Sequence, residues 1–366
     1  MRIAQVAPLT ESVPPKLYGG TERVVSWLVE ELVTQGHDVT LFASGDSITS
    51  ARLVPMWPRA LRLDGAVRDA SALHLLMMER VRQAAAEFDV IHFHLDYHPF
   101  PLFSRQTTPF VTTLHGRLDL PELQPVFATF STTPIISISD AQRRPIPKAG
   151  WIRTVHHGLP ETLLTPCDLK PSYLAFLGRI CPEKAVDKAI RIARHHGMHL
   201  KIAAKVDPAD TAYFAEQIRP LLDLPGIEYI GEIDDSRKAE FLSGATGLLM
   251  PLDWDEPFGL VMIEAMACGT PVIAFARGSV PEVLEDGVTG FVVPDEAGAI
   301  AAVPKLASLS RGAIRQRFEQ RFTAARMAQD YLAVYRALAG KSAGRLRLVR
   351  DGTPAPQVTE ALASGN

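Results

Sequence analysis

The chain has 366 residues, 47% of them hydrophobic, and a formal net charge of −3. That length exceeds what one core fills and predicts two domains, while the near-neutral charge excludes a global attraction to nucleic acid and leaves any phosphate binding to local groups. No window is apolar enough to span a membrane, and the start MRIAQVAPL reads as a strand instead of a secretory signal. Three scattered cysteines, Cys167, Cys181 and Cys268, match neither a disulfide framework nor metal-ligand spacing, so a cytoplasmic protein with reduced thiols is expected.

Short apolar runs alternate with helical patterns from the first residues on. RIAQVAP, DVTLFA, DVIHFH, PFVTTLH and PIISIS read as strands, and VVSWLVEELV between the first two reads as a helix, the pattern of a mostly parallel sheet. In that helix Val24, Leu28 and Leu32 fall four apart with Val25 and Val29 beside them, while Glu22, Glu30 and Glu31 are polar positions around the stripe. The pattern pauses at GLPETLLTPCDLKPS, residues 158–172, and then restarts as YLAFLG, LKIAAK, IEYIGE, GLLMPL, PVIAF and GFVV. Helical stretches AVDKAIRIARHHG and DSRKAEFLSGA lie between those runs. The expected domains are 1–165 and 166–322, two doubly wound units whose strand ends face each other across a cleft. A last helix over 323–340 has Met327, Tyr331, Val334 and Leu338 on one face, and the aperiodic residues 341–366 read as a disordered tail. Its arginines Arg345, Arg347 and Arg350 leave peripheral membrane contact open.

Several groupings carry chemistry. Gly19-Gly20-Thr21-Glu22, before the first helix, allows backbone N–H groups to approach an anion, although an ordinary turn with Thr21 as helix cap explains it equally. In LGRICPEK, residues 177–184, Arg179 offers a planar fork and Lys184 a point charge, together enough to offset a diphosphate without a metal; a solvated surface pair is the plainer alternative. Glu264 is the only charged residue within 261–268, a run apolar enough to be buried, and a lone buried carboxylate is costly, so the sequence predicts that it is kept for a ligand. Glu256 lies eight positions earlier, in the turn feeding the same helix.

Two metal patterns compete with this. Asp253-Trp254-Asp255 offers a D-x-D pair with no further ligands nearby. His92, His94, Asp96 and His98 form H-x-H-x-D-x-H, with the first three expected on one side of a strand and His115 able to join, the outline of a metal-dependent hydrolase. No later strand end completes that set, and the plainer reading is a strand end lining a cleft. No nucleophile elbow, Walker loop or zinc-protease motif is present.

With these blocks together, the chain resembles the glycosyltransferases of family 4, the large retaining group with the GT-B fold. The resemblance rests on Gly19-Gly20, on LGRICPEK, on EPFGLVMIE running into AMACGTPVIA, on GSVPEVLEDGVTGFVV, and on a last helix that in that fold crosses back to the N-terminal domain. It implies transfer of a hexose from a nucleoside-diphosphate sugar to an acceptor hydroxyl, with no metal and no cofactor. Arg179 and Lys184 would hold the diphosphate and Glu264 the ribose hydroxyls. Glu256, with the backbone of Phe258, Gly259 and Leu260, would hold the transferred sugar. Gly19 and Gly20 would approach phosphate from the other domain, and His115 would lie against the sugar. Where the family commonly has Asn-Gly, this chain has His157-Gly158. The acceptor, whether saccharide, lipid or small molecule, is not specified. A non-catalytic nucleotide-sugar-binding protein of the same fold is the alternative.

Overall fold

A computed structural model describes residues 1–16 and 19–350, with side chains up to residue 340. Seven strands form the first sheet: β1 (Arg2–Val6), β2 (Asp38–Ser44), β3 (Arg52–Trp57), β4 (Val90–Phe93), β5 (Phe110–Thr113), β6 (Ile135–Ser137) and β7 (Trp151–Thr154). They are parallel, in the order β3-β2-β1-β4-β5-β6-β7. The second sheet holds β8 (Tyr173–Arg179), β9 (Leu200–Lys205), β10 (Ile227–Gly231), β11 (Ala245–Met250), β12 (Val272–Phe275) and β13 (Gly290–Val293). These are parallel too, in the order β10-β9-β8-β11-β12-β13. In each sheet the chain moves outward from its first strand, then returns to that strand's other side. The resulting switch points, between β1 and β4 and between β8 and β11, are where crevices open at the carboxyl ends of parallel strands. These are the two doubly wound units expected from the alternating pattern, in the arrangement that the resemblance to the GT-B fold implies.

Among the elements that the sequence reading does not single out are two strands and the helix Ala70–Gln83. β3 and β7 lie at the rims of the first sheet and are only partly covered, so neither needs an apolar run; Pro55 within β3 is tolerated because a rim strand has unpaired N–H groups to lose. The helix Ala70–Gln83 buries only Met77, Met78 and Val81, and its start is fixed by Asp69, whose carboxylate accepts from the backbone N–H groups of Ser71 and Ala72.

The first helix, Gly20–Thr34, buries the expected stripe of Val24, Val25, Leu28, Val29 and Leu32. Glu22, expected on the polar side, is instead 6% exposed, and burial raises its pKa. Thr21 does not cap this helix: Gly19 occupies the N-cap position without any side-chain capping bond. The last helix, Ala324–Arg350, returns to the first sheet and buries Met327, Tyr331, Val334 and Tyr335. The first ten residues of the expected disordered tail, 341–350, continue this helix because its helical pattern does not stop at residue 340; residues 351–366, and the side chains of Arg345, Arg347 and Arg350, lie outside what is described.

The chain passes between the two sheets twice, and the passes touch. Leu159 N–H donates to the Phe322 carbonyl at 3.0 Å, and Ala324 N–H donates to the Leu159 carbonyl at 2.9 Å. Between them sits Gly158, where an added Cβ would lie 2.2 Å from the Thr323 carbonyl oxygen. That atom is backbone and has no rotamer to yield, so overpacking there forces the two passes apart at a cost of about 1–3 kcal/mol. Gly158→Ala is therefore expected to lower the melting temperature by roughly 2–10 °C in a calorimetric scan; an unchanged transition would show that the crossing is slack.

Candidate active site

The turn 253–259 is shaped by its glycines and by a loop that grips it from behind. Gly259 has φ 78°, in the left-handed region, and a Cβ there would meet the terminal methyls of Met250 and Met262 at 2.8 Å. It starts the helix Leu260–Ala267 with no side-chain cap, which leaves that helix's first N–H groups available to a ligand. Gly278, with φ 54°, backs against the Glu256 peptide so closely that a Cβ would fall 2.3 Å from the Glu256 carbonyl. Ser279 then ties the turn down, its N–H donating to the Glu256 carbonyl at 2.9 Å and its hydroxyl to the Phe258 carbonyl at 2.8 Å.

This turn forms one wall of a cleft of about 430 Å³ between the two sheets. Gly19, Gly20 and His115 line it from the first half of the chain, and Arg179, Lys184, Glu256, Phe258, Gly259, Leu260 and Glu264 from the second. Every residue singled out for donor binding or catalysis is thus brought to one cavity. A second cavity of about 480 Å³ adjoins it through Glu256 and Pro257 and is lined by Arg117, Asp119, Trp254 and Arg277.

Most of the charged groups in the cleft are paired. Lys184 is ion-paired with Glu256, whose Oε2 also accepts from the indole N–H of Trp254 at 3.1 Å. Glu264, 3% exposed, does not stand alone as its apolar neighbours predicted: Lys238 Nζ lies 2.6 Å from its Oε1 and 3.1 Å from Asp235. Burial would lower the Lys238 pKa, but the negative charges of Glu264 and Asp235 outweigh it and hold the ammonium above its ordinary value. Asp235 is in turn ion-paired with Arg23 of the first helix, so a chain of charges runs from one half of the molecule to Glu264. Arg179 lies 3.3 Å from Asp210.

The histidines do not make a metal site. Both ring nitrogens of His92 are engaged, by Tyr335 and Thr113 at 2.7 Å each, and both of His94, by His115 at 2.8 Å and Gln5 at 2.9 Å. Asp96 is exposed beyond the strand end. Asp253 pairs with Lys188, and Asp255 accepts the Gly278 N–H at 3.1 Å. Among the described residues no group of three His, Cys, Asp or Glu side chains is placed to hold a metal ion. The histidine-based hydrolase expectation thus loses its ligands to protein hydrogen bonds.

Residues 165–323 match the family Glycosyl transferases group 1, and residues 18–160 match Glycosyltransferase Family 4. The chain is 25% identical over 389 aligned positions to the alpha-maltose-1-phosphate synthase of Mycolicibacterium smegmatis, across 91% of this chain and 99% of the relative. In fold it is similar to the sucrose-phosphate synthase from Thermosynechococcus elongatus, with a TM-score of 0.77 and 21% identity, across 93% of this chain and 99% of that one. The Anabaena HepE protein in complex with UDP and glucose is similar with a TM-score of 0.70 and 18% identity, across 92% of this chain and 100% of that one. The chain belongs to the family 4, group 1 glycosyltransferases.

Some residues at the heart of this glycosyltransferase's cleft carried no signal in the sequence. Lys238 sits in DSRKAEF, a stretch that reads as any polar helix, and Arg23 belongs to the first helix's solvent side by periodicity. Gly278 and Ser279 lie within the block GSVPEV, quoted for the family resemblance, where their backing of the turn depends on tertiary contact. Trp254 stood out only as the middle of a metal motif. His157, replacing the family's usual Asn, lines the cleft and stacks on His115 with ring centroids 5.3 Å apart and planes 15° from parallel.

Four histidines, three of them buried and His115 half-buried at the cleft wall, make stability depend on pH. Burial pushes His115 down to about 3, and drives His92, His94 and His157 well below the ordinary value as well, so all four stay neutral in the folded protein. The unfolded chain takes up protons near pH 6.5 and the native state does not, so stability falls as pH drops below that value. Between pH 7 and pH 5 each histidine is expected to remove up to about 2 kcal/mol. Urea unfolding at the two pH values measures the total; equal midpoints would mean that these rings protonate in place.

Proposed function

We propose that this glycosyltransferase moves a hexose from a nucleoside-diphosphate sugar to an acceptor hydroxyl, with retention at the anomeric carbon and without a metal ion, in the cytoplasm. The observation that carries the reading is the convergence of Arg179, Lys184 and the uncapped start of the helix Leu260–Ala267 on one cleft that also holds two nearly buried carboxylates. Two side-chain cations and a helix N-terminus suit a diphosphate, and they act at low dielectric once the cleft closes on its ligand. The Anabaena neighbour solved with UDP and glucose makes UDP-glucose the first donor to try.

Binding requires an exchange of partners. In the empty cleft Lys184 neutralises Glu256; an incoming diphosphate competes for the ammonium, and Glu256 is left with the Trp254 N–H and the hydroxyls of the transferred sugar. Both protein partners take Oε2 of Glu256, which leaves Oε1 for those hydroxyls. A carboxylate held this way is suited to positioning a sugar. In the transfer itself the anomeric carbon–oxygen bond to the diphosphate breaks, and the acceptor oxygen bonds to the same face. The acceptor's proton passes to the departing phosphate oxygen. Glu264, whose Oε1 engages Lys238, accepts the ribose hydroxyls with its other oxygen. Three unpaired cysteines, two of them buried, agree with a reducing compartment.

Lys184→Ala is expected to lower kcat by about 10²–10³, the scale for removing one group that stabilises developing charge, with far-UV dichroism unchanged. Turnover within twofold of wild type in UDP-glucose hydrolysis or transfer would remove Lys184 from the diphosphate. Glu264→Gln is expected to weaken UDP binding by roughly tenfold, about the worth of a charged hydrogen bond, in isothermal calorimetry. Retained affinity would assign the carboxylate to Lys238 alone. Activity that persists after dialysis against a chelator is expected, and its loss with recovery on adding magnesium would refute the metal-free reading.

A further inference from the structure

Behind His115, away from the cleft, runs a chain of buried polar side chains with almost no solvent contact. Gln5, His92 and Tyr335 have no exposed surface, and His94 is 3% exposed. Their hydrogen bonds have a direction. The Gln5 amide nitrogen donates to the Tyr335 phenol oxygen at 3.0 Å, so the phenol sends its own proton to His92 Nδ1 at 2.7 Å. The Gln5 amide oxygen lies 2.9 Å from His94 Nε2 and can only accept, so His94 carries its proton on Nε2. His94 Nδ1 is then a lone pair, and the atom facing it at 2.8 Å, His115 Nε2, must be the N–H. A neutral imidazole has one proton. With that proton on Nε2, His115 Nδ1 is a lone pair, buried, without a protein partner, in a residue that lines the cleft.

We propose that Gln5, His94 and Tyr335 form a positioning relay that fixes the tautomer of His115, so that its Nδ1 acts as a hydrogen-bond acceptor for a hydroxyl of the bound substrate. The relay deepens the reading of the cleft as a sugar-donor site and rests on it for its substrate. His115 touches substrate; the other three act through it. Turning the Gln5 amide over would move every proton in the chain by one site and convert Nδ1 into a donor, so the orientation of one buried amide sets the polarity of the cleft wall. That amide is held at its nitrogen end by a residue of the last helix. Docking of this helix on the first sheet therefore determines whether the wall accepts or donates. Burial of His115 pushes its pKa down to about 3, which keeps the ring neutral, as a fixed tautomer requires. His157 stacks on the ring's face and limits its rotation.

The test begins with ligand-free, full-length protein carrying isotope-labelled histidine. Two-bond proton–nitrogen spectra at neutral pH, with the His115 signals assigned from their loss in His115→Gln, are expected to show one neutral species protonated on Nε2. A proton on Nδ1, or comparable amounts of both tautomers, overturns the relay. Gln5→Leu and Tyr335→Phe supply the second arm. In each, His115 is expected to become a mixture of tautomers, and turnover of UDP-glucose is expected to fall about tenfold, the worth of one net hydrogen bond. Folded variants, judged by melting temperature, that keep both the wild-type His115 spectrum and wild-type turnover would overturn the proposal, and the wild-type spectrum decides it even if neither variant folds. Calorimetry with UDP-glucose separates the two layers of inference: a wild-type protein that binds no sugar nucleotide strikes the reading of the cleft, whereas the ligand-free spectrum strikes the relay alone.

Discussion

The constraint on which the rest of this molecule depends is charge compensation in a cavity that must be stable before any ligand arrives. Diphosphate recognition calls for cations and sugar recognition for carboxylates, and both must leave bulk water to be selective. An isolated ion in that position costs several kcal/mol. The fold meets this by pairing each class with the other: Lys184 with Glu256, and Lys238 with Glu264. The groups proposed to bind the two ends of a sugar nucleotide thus stabilise each other before a ligand arrives. The same arrangement favours a ligand that carries both kinds of group, because a bare anion would draw Lys184 away and leave Glu256 uncompensated. The proposed sugar diphosphate would replace one partner with phosphate and supply hydroxyls to the other.

This pairing shows that the argument from sequence for Glu264, a residue that lines the cleft, gave only part of the reason a carboxylate is tolerated there. Glu264 drew attention because its neighbours in the chain are apolar, and the inference was that only a ligand offsets it. Lys238, 26 positions away in sequence, supplies the partner from a neighbouring helix. Linear patterning reports what a residue's chain neighbours can offer and is silent about neighbours supplied by folding. The same limit applied to Gly278 and Ser279 behind the turn, to Arg23 across the cleft, and to Trp254. What the sequence did carry was the backbone chemistry of anion sites, in glycines before helix starts and cations at strand ends, because those features are local by nature.

The architecture was legible for a similar reason. Central strands of a parallel sheet are covered on both faces, so β1, β2, β4, β5 and β6 and, in the second sheet, β8, β9, β11 and β12 announce themselves as apolar runs, while the rim strands β10 and β13 were marked by their alternation and turn signals. β3 and β7, at the rims, need cover on fewer sides, and composition does not mark them. Glu22 shows the converse failure. Its place in the helical periodicity is polar, yet it packs where the chain folds back at Gly19, whose Cβ position lies 3.1 Å from its carboxylate. Helical phase assigns a face, but not what later covers it.

The last helix joins these threads. Its apolar face was visible as a stripe, and burial of Met327 and Val334 would hold it on the first sheet with hydrophobic contact alone. Yet it also brings the phenols of Tyr331 and Tyr335 into a dry interior, where an unsatisfied hydroxyl costs about 1–3 kcal/mol. Those hydroxyls find Thr113, His92 and Gln5, residues of three neighbouring strands whose inward positions are polar where leucine or valine would pack as well. Apolar packing tolerates small slips along a helix axis, whereas a phenol that must meet two partners at 2.7 and 3.0 Å does not. The polar chain therefore sets the register of the last helix on the first sheet, and the same residues reach the cleft wall through His94. The device that sets the last helix in register on the first sheet and the device proposed to orient the His115 imidazole are one set of hydrogen bonds, which accounts for histidine, glutamine and tyrosine at positions that packing alone would give to hydrocarbon.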